Sequence, residues 1–67
     1  MAVIKSIDLV GVSTESWRDA AQAALAEASK TLRGIESMHV LETSAIVDGD
    51  KVKEYHTHVR ISFRLDR

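Results

Sequence analysis

The stretch that decides the fold runs from Asp48 to Leu65, Asp48-Gly49-Asp50-Lys51-Val52-Lys53-Glu54-Tyr55-His56-Thr57-His58-Val59-Arg60-Ile61-Ser62-Phe63-Arg64-Leu65. From Tyr55 onward it alternates without a break. Tyr55, Thr57, Val59, Ile61, Phe63 and Leu65 point one way, and His56, His58, Arg60, Ser62 and Arg64 the other, which is the period of a strand with one buried face. Asp48-Gly49 ahead of it is the strongest short-range hairpin signal in the chain, so Ile35 to Val47 is predicted as its antiparallel partner. If Asp48-Gly49 forms a two-residue loop, His39 faces His58; if Asp48-Gly49-Asp50 forms a three-residue loop, His39 faces Val59. Straight, Val52 to Leu65 would run about 46 Å at ~3.3 Å per residue, well past the common strand length. A strand of that length requires a sheet that curls or pairs with other chains.

Working back along the chain, Ser13-Thr14-Glu15-Ser16-Trp17 carries helix-start chemistry. Either Ser13 or Ser16 suits the cap, and Ser16 with Asp19 has the spacing of a weak capping box. The run to Arg33 is rich in alanine and leucine and lacks glycine and proline. Trp17, Ala21, Ala24, Ala28 and Leu32 form one apolar stripe on a helix predicted to span about 18 residues, with Gly34 as the stop signal. Trp17 reads as a core or interface anchor at the head of that stripe. Before it, Val3 to Val12 reads as a half-buried strand, with Val3, Ile7 and Leu9 on one face, Ser6 and Asp8 on the other, and Lys5 out of pattern. The predicted fold class is α+β: a single domain over residues 1–67, β-α-β-β, with a three-stranded antiparallel sheet wrapped around one helix.

The chain has 67 residues, no cysteine, no proline, and only three Phe, Tyr or Trp residues. At this mass a folded monomer exposes roughly 4,200 Å² against about 10,700 Å² unfolded, so only about 60% of the surface is buried. Chains this small commonly add disulfides, a structural metal or subunit contacts; disulfides and thiolate zinc sites need cysteine. Oligomerisation is therefore the expected source of the missing burial, through the second sheet face and the free strand edges. Nine Lys and Arg balance ten Asp and Glu, with no strongly basic block to neutralise a run of phosphates. No nucleic-acid partner and no membrane partner is expected. Residues 1–12 carry lysine and aspartate where a signal peptide needs an unbroken apolar run, and the expected location is cytoplasmic.

Two segments, IDLVGVSTESWRDAAQAALAEASKTLRGIESMHV (Ile7–Val40) and KEYHTHVRISFRLD (Lys53–Asp66), resemble the dodecins. They match that family's strand, Val-Gly, serine and helix opening, its Ala-Ser-Lys-Thr-Leu-Arg helix end, and its closing Tyr-to-Phe-Arg-Leu strand. The resemblance implies a β-α-β-β subunit of a hollow homododecamer, a non-enzymatic shell that binds or stores small ligands, commonly the flavins riboflavin and FMN. It also implies three flavin-facing positions. Ser37, in Ile35-Glu36-Ser37-Met38-His39-Val40, stands where the family has a tryptophan that stacks on the isoalloxazine. His56, in Tyr55-His56-Thr57-His58, stands where it has a glutamine, and Glu42 aligns with an acidic residue that holds ribityl hydroxyls. A hydroxymethyl group offers no planar face. The loss of one stacking ring is worth about 1–3 kcal/mol, so flavin binding is expected to be weak or lost. A tryptophan at the position of Trp17 resembles dodecin-like sequences associated with calcium, which gives the alternative of a flavin-free shell with an ion-binding or structural role.

His56 and His58 share a strand face, and His39 joins them if the hairpin closes on two residues. Three imidazoles would suit a transition metal such as zinc, copper or nickel, whereas calcium prefers oxygen ligands such as Asp48 and Asp50. The residues lack a cysteine nucleophile, a serine–histidine–carboxylate pattern, a P-loop and a dinucleotide fingerprint, so no catalysis is expected.

Overall fold

A computed structural model describes residues 2–65. Its elements follow the order β1 (Val3–Ser13), α1 (Trp17–Ala28), β2 (Ile35–Asp48) and β3 (Lys51–Leu65). The spatial order is β1-β3-β2, with β3 central and antiparallel to both neighbours. This is the expected β-α-β-β arrangement of one helix against a three-stranded antiparallel sheet. The helix lies over β1 and β3 and touches β2 only at its margin.

The helix starts where its cap chemistry places it. Ser16 is the N-cap, its Oγ accepting the Asp19 N–H at 2.9 Å. Ser13 serves the same turn from the strand, accepting the Glu15 N–H and donating to Asp19 Oδ2 at 2.7 Å. The other end departs from expectation: the helix has 12 residues and stops at Ala28 rather than near Arg33. Ser29 Oγ donates to the Leu25 carbonyl, and the Lys30 and Thr31 N–H groups bond three residues back, to Glu27 and Ala28. A back-bonding serine followed by a β-branched threonine favours this tighter turn over further α-helix. Gly34 does take the left-handed conformation, φ +73°, but as the entry to β2, where its carbonyl accepts the Arg64 N–H at 3.0 Å.

Small side chains set how closely helix and sheet approach. Ala21, Ala24 and Ala28 are buried with Val59 and Ile61 of β3, with Ile7, Leu9, Leu25, Leu32, Ile35 and Met38 around them, and Ala20, Thr57 and Phe63 are buried as well. At Gly11 there is no room for a side chain, because the Ala20 carbonyl occupies the space a Cβ would take.

The hairpin closes in neither of the two ways expected. Its loop is Gly49-Asp50, with Asp48 paired to Lys51. Gly49 alone has a positive φ, +65°, the pattern of a type II′ turn with glycine first. An Asp48-Gly49 turn of type I′ would have put an aspartate in the left-handed region as well. Register shifts between Ile35 and Ser37, Val40 and Glu42, and Ile46 and Val47 then reset the pairing.

β1 accompanies β3 only along Tyr55–Leu65, so the hairpin projects beyond the helix as a two-stranded ribbon and the molecule measures 52 × 19 × 12 Å. One chain exposes 5046 Å². That exceeds the roughly 4,200 Å² of a compact monomer of this mass. Val10, Val12, Val40, Ile46, Val47 and Val52 are among the exposed apolar residues. No helix of the described residues is long and apolar enough to cross a membrane.

Candidate ligand face of the sheet

The helix covers one face of the sheet and leaves the other bare, and alternation determines what the bare face presents. From β3 come Glu54, His56, His58, Arg60, Ser62 and Arg64; from β1 come Ser6, Asp8, Val10 and Val12, opposite Ser62, Arg60, His58 and His56. From β2 come Ser37 opposite Ser62, His39 opposite Arg60, Glu42 opposite His58, and Ser44 opposite His56.

Ser37, Glu42 and His56 therefore share this face. Strict alternation would have separated Ser37 from Glu42, since their numbers differ by five and a strand has a period of two. The irregularity between Val40 and Glu42 inserts one residue and returns Glu42 to the side of Ser37 and His39. All three histidines stand here too. His39 faces Arg60 rather than His58, and among the described residues no three His, Asp or Glu side chains are placed to hold a metal ion within one chain.

Fixed charges cross the strands. Arg60 grips Asp8 with two bonds, Nε to Oδ1 at 2.9 Å and Nη2 to Oδ2 at 3.1 Å, while His58 Nε2 lies 3.2 Å from the same Oδ2. The Arg60 hydrogen bond, reinforced by His58, holds the Asp8 carboxyl below the usual carboxylate range against a partial desolvation that opposes it, and Asp8 in turn raises Arg60. Arg64 Nε donates to Glu36 Oε2 at 2.7 Å, and His56 Nε2 lies 3.1 Å from Glu54 Oε1. Ser6, Ser62 and Ser37 form a row of hydroxyls across the three strands.

None of the Phe, Tyr and Trp rings is on this face. Trp17 meets Tyr55 edge-on, with ring centroids 4.7 Å apart at 77°, and its Nε1 donates to the Ser44 carbonyl at 2.8 Å. Thr57, almost fully buried, donates to the Trp17 carbonyl at 2.8 Å. Phe63 is buried among the helix-side residues. The sequence pattern placed Trp17 at the head of the apolar stripe. Its bond to β2 depends on tertiary placement that no local signal carries. The Asp8–Arg60–His58 cluster was likewise invisible without the β1–β3 register.

The family model for dodecin matches residues 3–66. The chain belongs to the dodecin family. The dodecin of Thermus thermophilus is 42% identical over 64 residues, covering 96% of this chain and 93% of that protein. The calcium dodecin of Mycobacterium tuberculosis is 32% identical over 65 residues, covering 97% of this chain and 92% of that one. Among solved structures, a tryptophan-to-phenylalanine mutant of the Thermus dodecin superposes with a TM-score of 0.95 at 40% identity, with full coverage of both chains. The Mycobacterium tuberculosis protein, described as a calcium-chelating antigen with a calcium-binding site, superposes at 0.84 with 31% identity, over 96% of this chain and 91% of that one.

Proposed function

We propose that this dodecin is a non-enzymatic shell of twelve copies that binds or sequesters a small ligand on the helix-free sheet face, through Ser37, Glu42 and His56. The assembly is supported by the surplus of exposed surface and the uncovered valines. A shell of many copies would bury what one helix leaves bare. For the ligand, the observation that carries the reading is the distribution of rings: Ser37, Glu42 and His56 meet on one face, while Trp17, Tyr55 and Phe63 belong to the other. A flavin held there would rely on hydrogen bonds from hydroxyl, imidazole and carboxylate groups without an indole beneath it, and its affinity is weak. A fluorescence titration with FMN and riboflavin tests this. Micromolar or weaker quenching supports the reading, and sub-micromolar quenching at one flavin per subunit overturns the claim of weakness. Light scattering tests the shell, which requires a mass near twelve chains.

The calcium dodecin relative favours a second reading, in which the shell holds calcium. Among the described residues one chain gathers no three-ligand site, so calcium would be held by oxygen atoms from more than one copy. Calorimetry with calcium before and after chelation separates the two readings.

A further inference from the structure

Histidine side chains as a class exchange a proton between pH 5 and 8, and every histidine of this chain stands on the proposed ligand face. Their surroundings fix what that exchange does. From β1, Asp8 meets His58 and Arg60. From β2, Glu42 stands opposite His58, His39 opposite Arg60, and Glu36 reaches Arg64. From β3 itself, Glu54 meets His56, and Arg60 and Arg64 supply the fixed cations. Four carboxylates thus face two guanidinium groups, leaving the face two charges negative while the imidazoles are neutral. Three protons turn it one charge positive. The helix side carries no histidine to offset the change.

We propose that the helix-free face is a proton-operated charge switch that favours cationic ligands at neutral pH and anionic ligands under acidic conditions. The inference rests on that face being the ligand site. The three rows His39–Arg60–Asp8, Glu42–His58–Val10 and Ser44–His56–Val12 are adjacent, so the added charges fall together rather than being scattered around the molecule. Clustered charge on one surface acts on a bound ligand within the ~8–10 Å screening length of physiological salt. Symmetry multiplies the effect wherever copies bring these faces together.

FMN and riboflavin are matched probes, alike except for a phosphate. Both are titrated into the full-length protein at pH 7.5 and pH 5.5. The expected result is that the preference for FMN over riboflavin rises about threefold or more on acidification, consistent with a few screened charge interactions. The phosphate loses charge itself over this range, with its second pKa at about 6, so a face that stayed negative would also repel FMN less on acidification, and the share of the rise due to the histidines is the part that their removal abolishes. The double variant His39→Gln, His58→Gln, which spares His56, is expected to lose at least half of the rise, and a rise that the double variant keeps in full overturns the switch. A level or falling preference in the natural protein overturns the switch and leaves the flavin reading intact. If neither flavin binds at either pH, the flavin reading fails and calcium decides. Calcium affinity falling from pH 7.5 to 5.5 in the natural protein and less in the double variant supports the switch. An unchanged affinity, or silence toward all three probes, overturns it.

Discussion

Gly11 of β1 lies against the backbone of Ala20 in the helix so closely that a Cβ at position 11 would stand 1.8 Å from the Ala20 carbonyl oxygen and 2.7 Å from its carbon. The obstruction is backbone, which cannot rotate aside as a side chain can. Gly11→Ala must push the helix off the sheet at the point where Ala20 and Ala24 are buried. The expected cost is at the upper end for overpacking, about 3 kcal/mol. Urea unfolding of the variant should show a much lower midpoint; a midpoint equal to that of the natural protein would mean the helix does not sit where it is described.

That contact also marks how far the chain could be read without coordinates. In the sequence Gly11 stood only as part of a Val-Gly motif, with nothing to show that a carbonyl nine residues later would demand glycine. The alternation was legible because burial on one face imposes it on every second residue, and β3 follows it from Thr57 to Phe63, with Tyr55 half-buried and Leu65 exposed at its ends. The helix end was not legible, because Ser29 and Thr31 are tolerable helix residues whose preference for a tighter turn shows only when the chain must enter β2. The hairpin register was underdetermined for a related reason. One glycine permits several turns, and the one adopted leaves Asp48 in the ladder. The proposed ligand face depends on a bulge near Leu41 that no period-two reading contains.

Trp17 supplies the tie between the helix start and β2 that Ser44 accepts. Trp17→Phe keeps a six-membered ring for Tyr55 to meet, deletes the N–H and trims the second ring of an indole that is partly exposed. The expected loss is about 1 kcal/mol, the net value of one such bond, read as a shift in urea midpoint with little change in slope. As Trp17 is the chain's one tryptophan, far-UV circular dichroism must follow the variant in place of indole fluorescence. No shift at all would show that the bond to the Ser44 carbonyl does not form in solution.

Asp8 gives the fold an acid-sensitive element. Its folded pKa is lowered, chiefly by the Arg60 hydrogen bond, so folding favours the ionised form. The contribution is present above the ordinary carboxylate pKa of about 4 and is lost as the pH falls through the lower folded value. Because both side chains are substantially exposed, solvent and salt screen the pair and the effect is small. Asp8→Asn should unfold at a slightly lower urea concentration than the natural protein at pH 7, with the gap closing below about pH 4. A gap that persists unchanged into strong acid would assign the loss to packing rather than to charge.

Ser37 offers the most direct test of the ligand reading. The side chain is exposed, stands opposite Ser62 in the row of hydroxyls, and shares its face with Glu42 and His56. If the missing indole is what weakens flavin binding, Ser37→Trp restores a planar surface without displacing any core residue. One stacked ring is worth about 1–3 kcal/mol, which corresponds to a gain of roughly 5- to 150-fold in affinity. Riboflavin is the better probe, since it carries no phosphate and reports stacking apart from the charge of the face. Quenching of riboflavin fluorescence should strengthen within that range, while the mass in solution stays that of the natural protein. A variant of unchanged mass and unchanged affinity would place the flavin elsewhere than beside Ser37, and would favour the calcium reading over the flavin one.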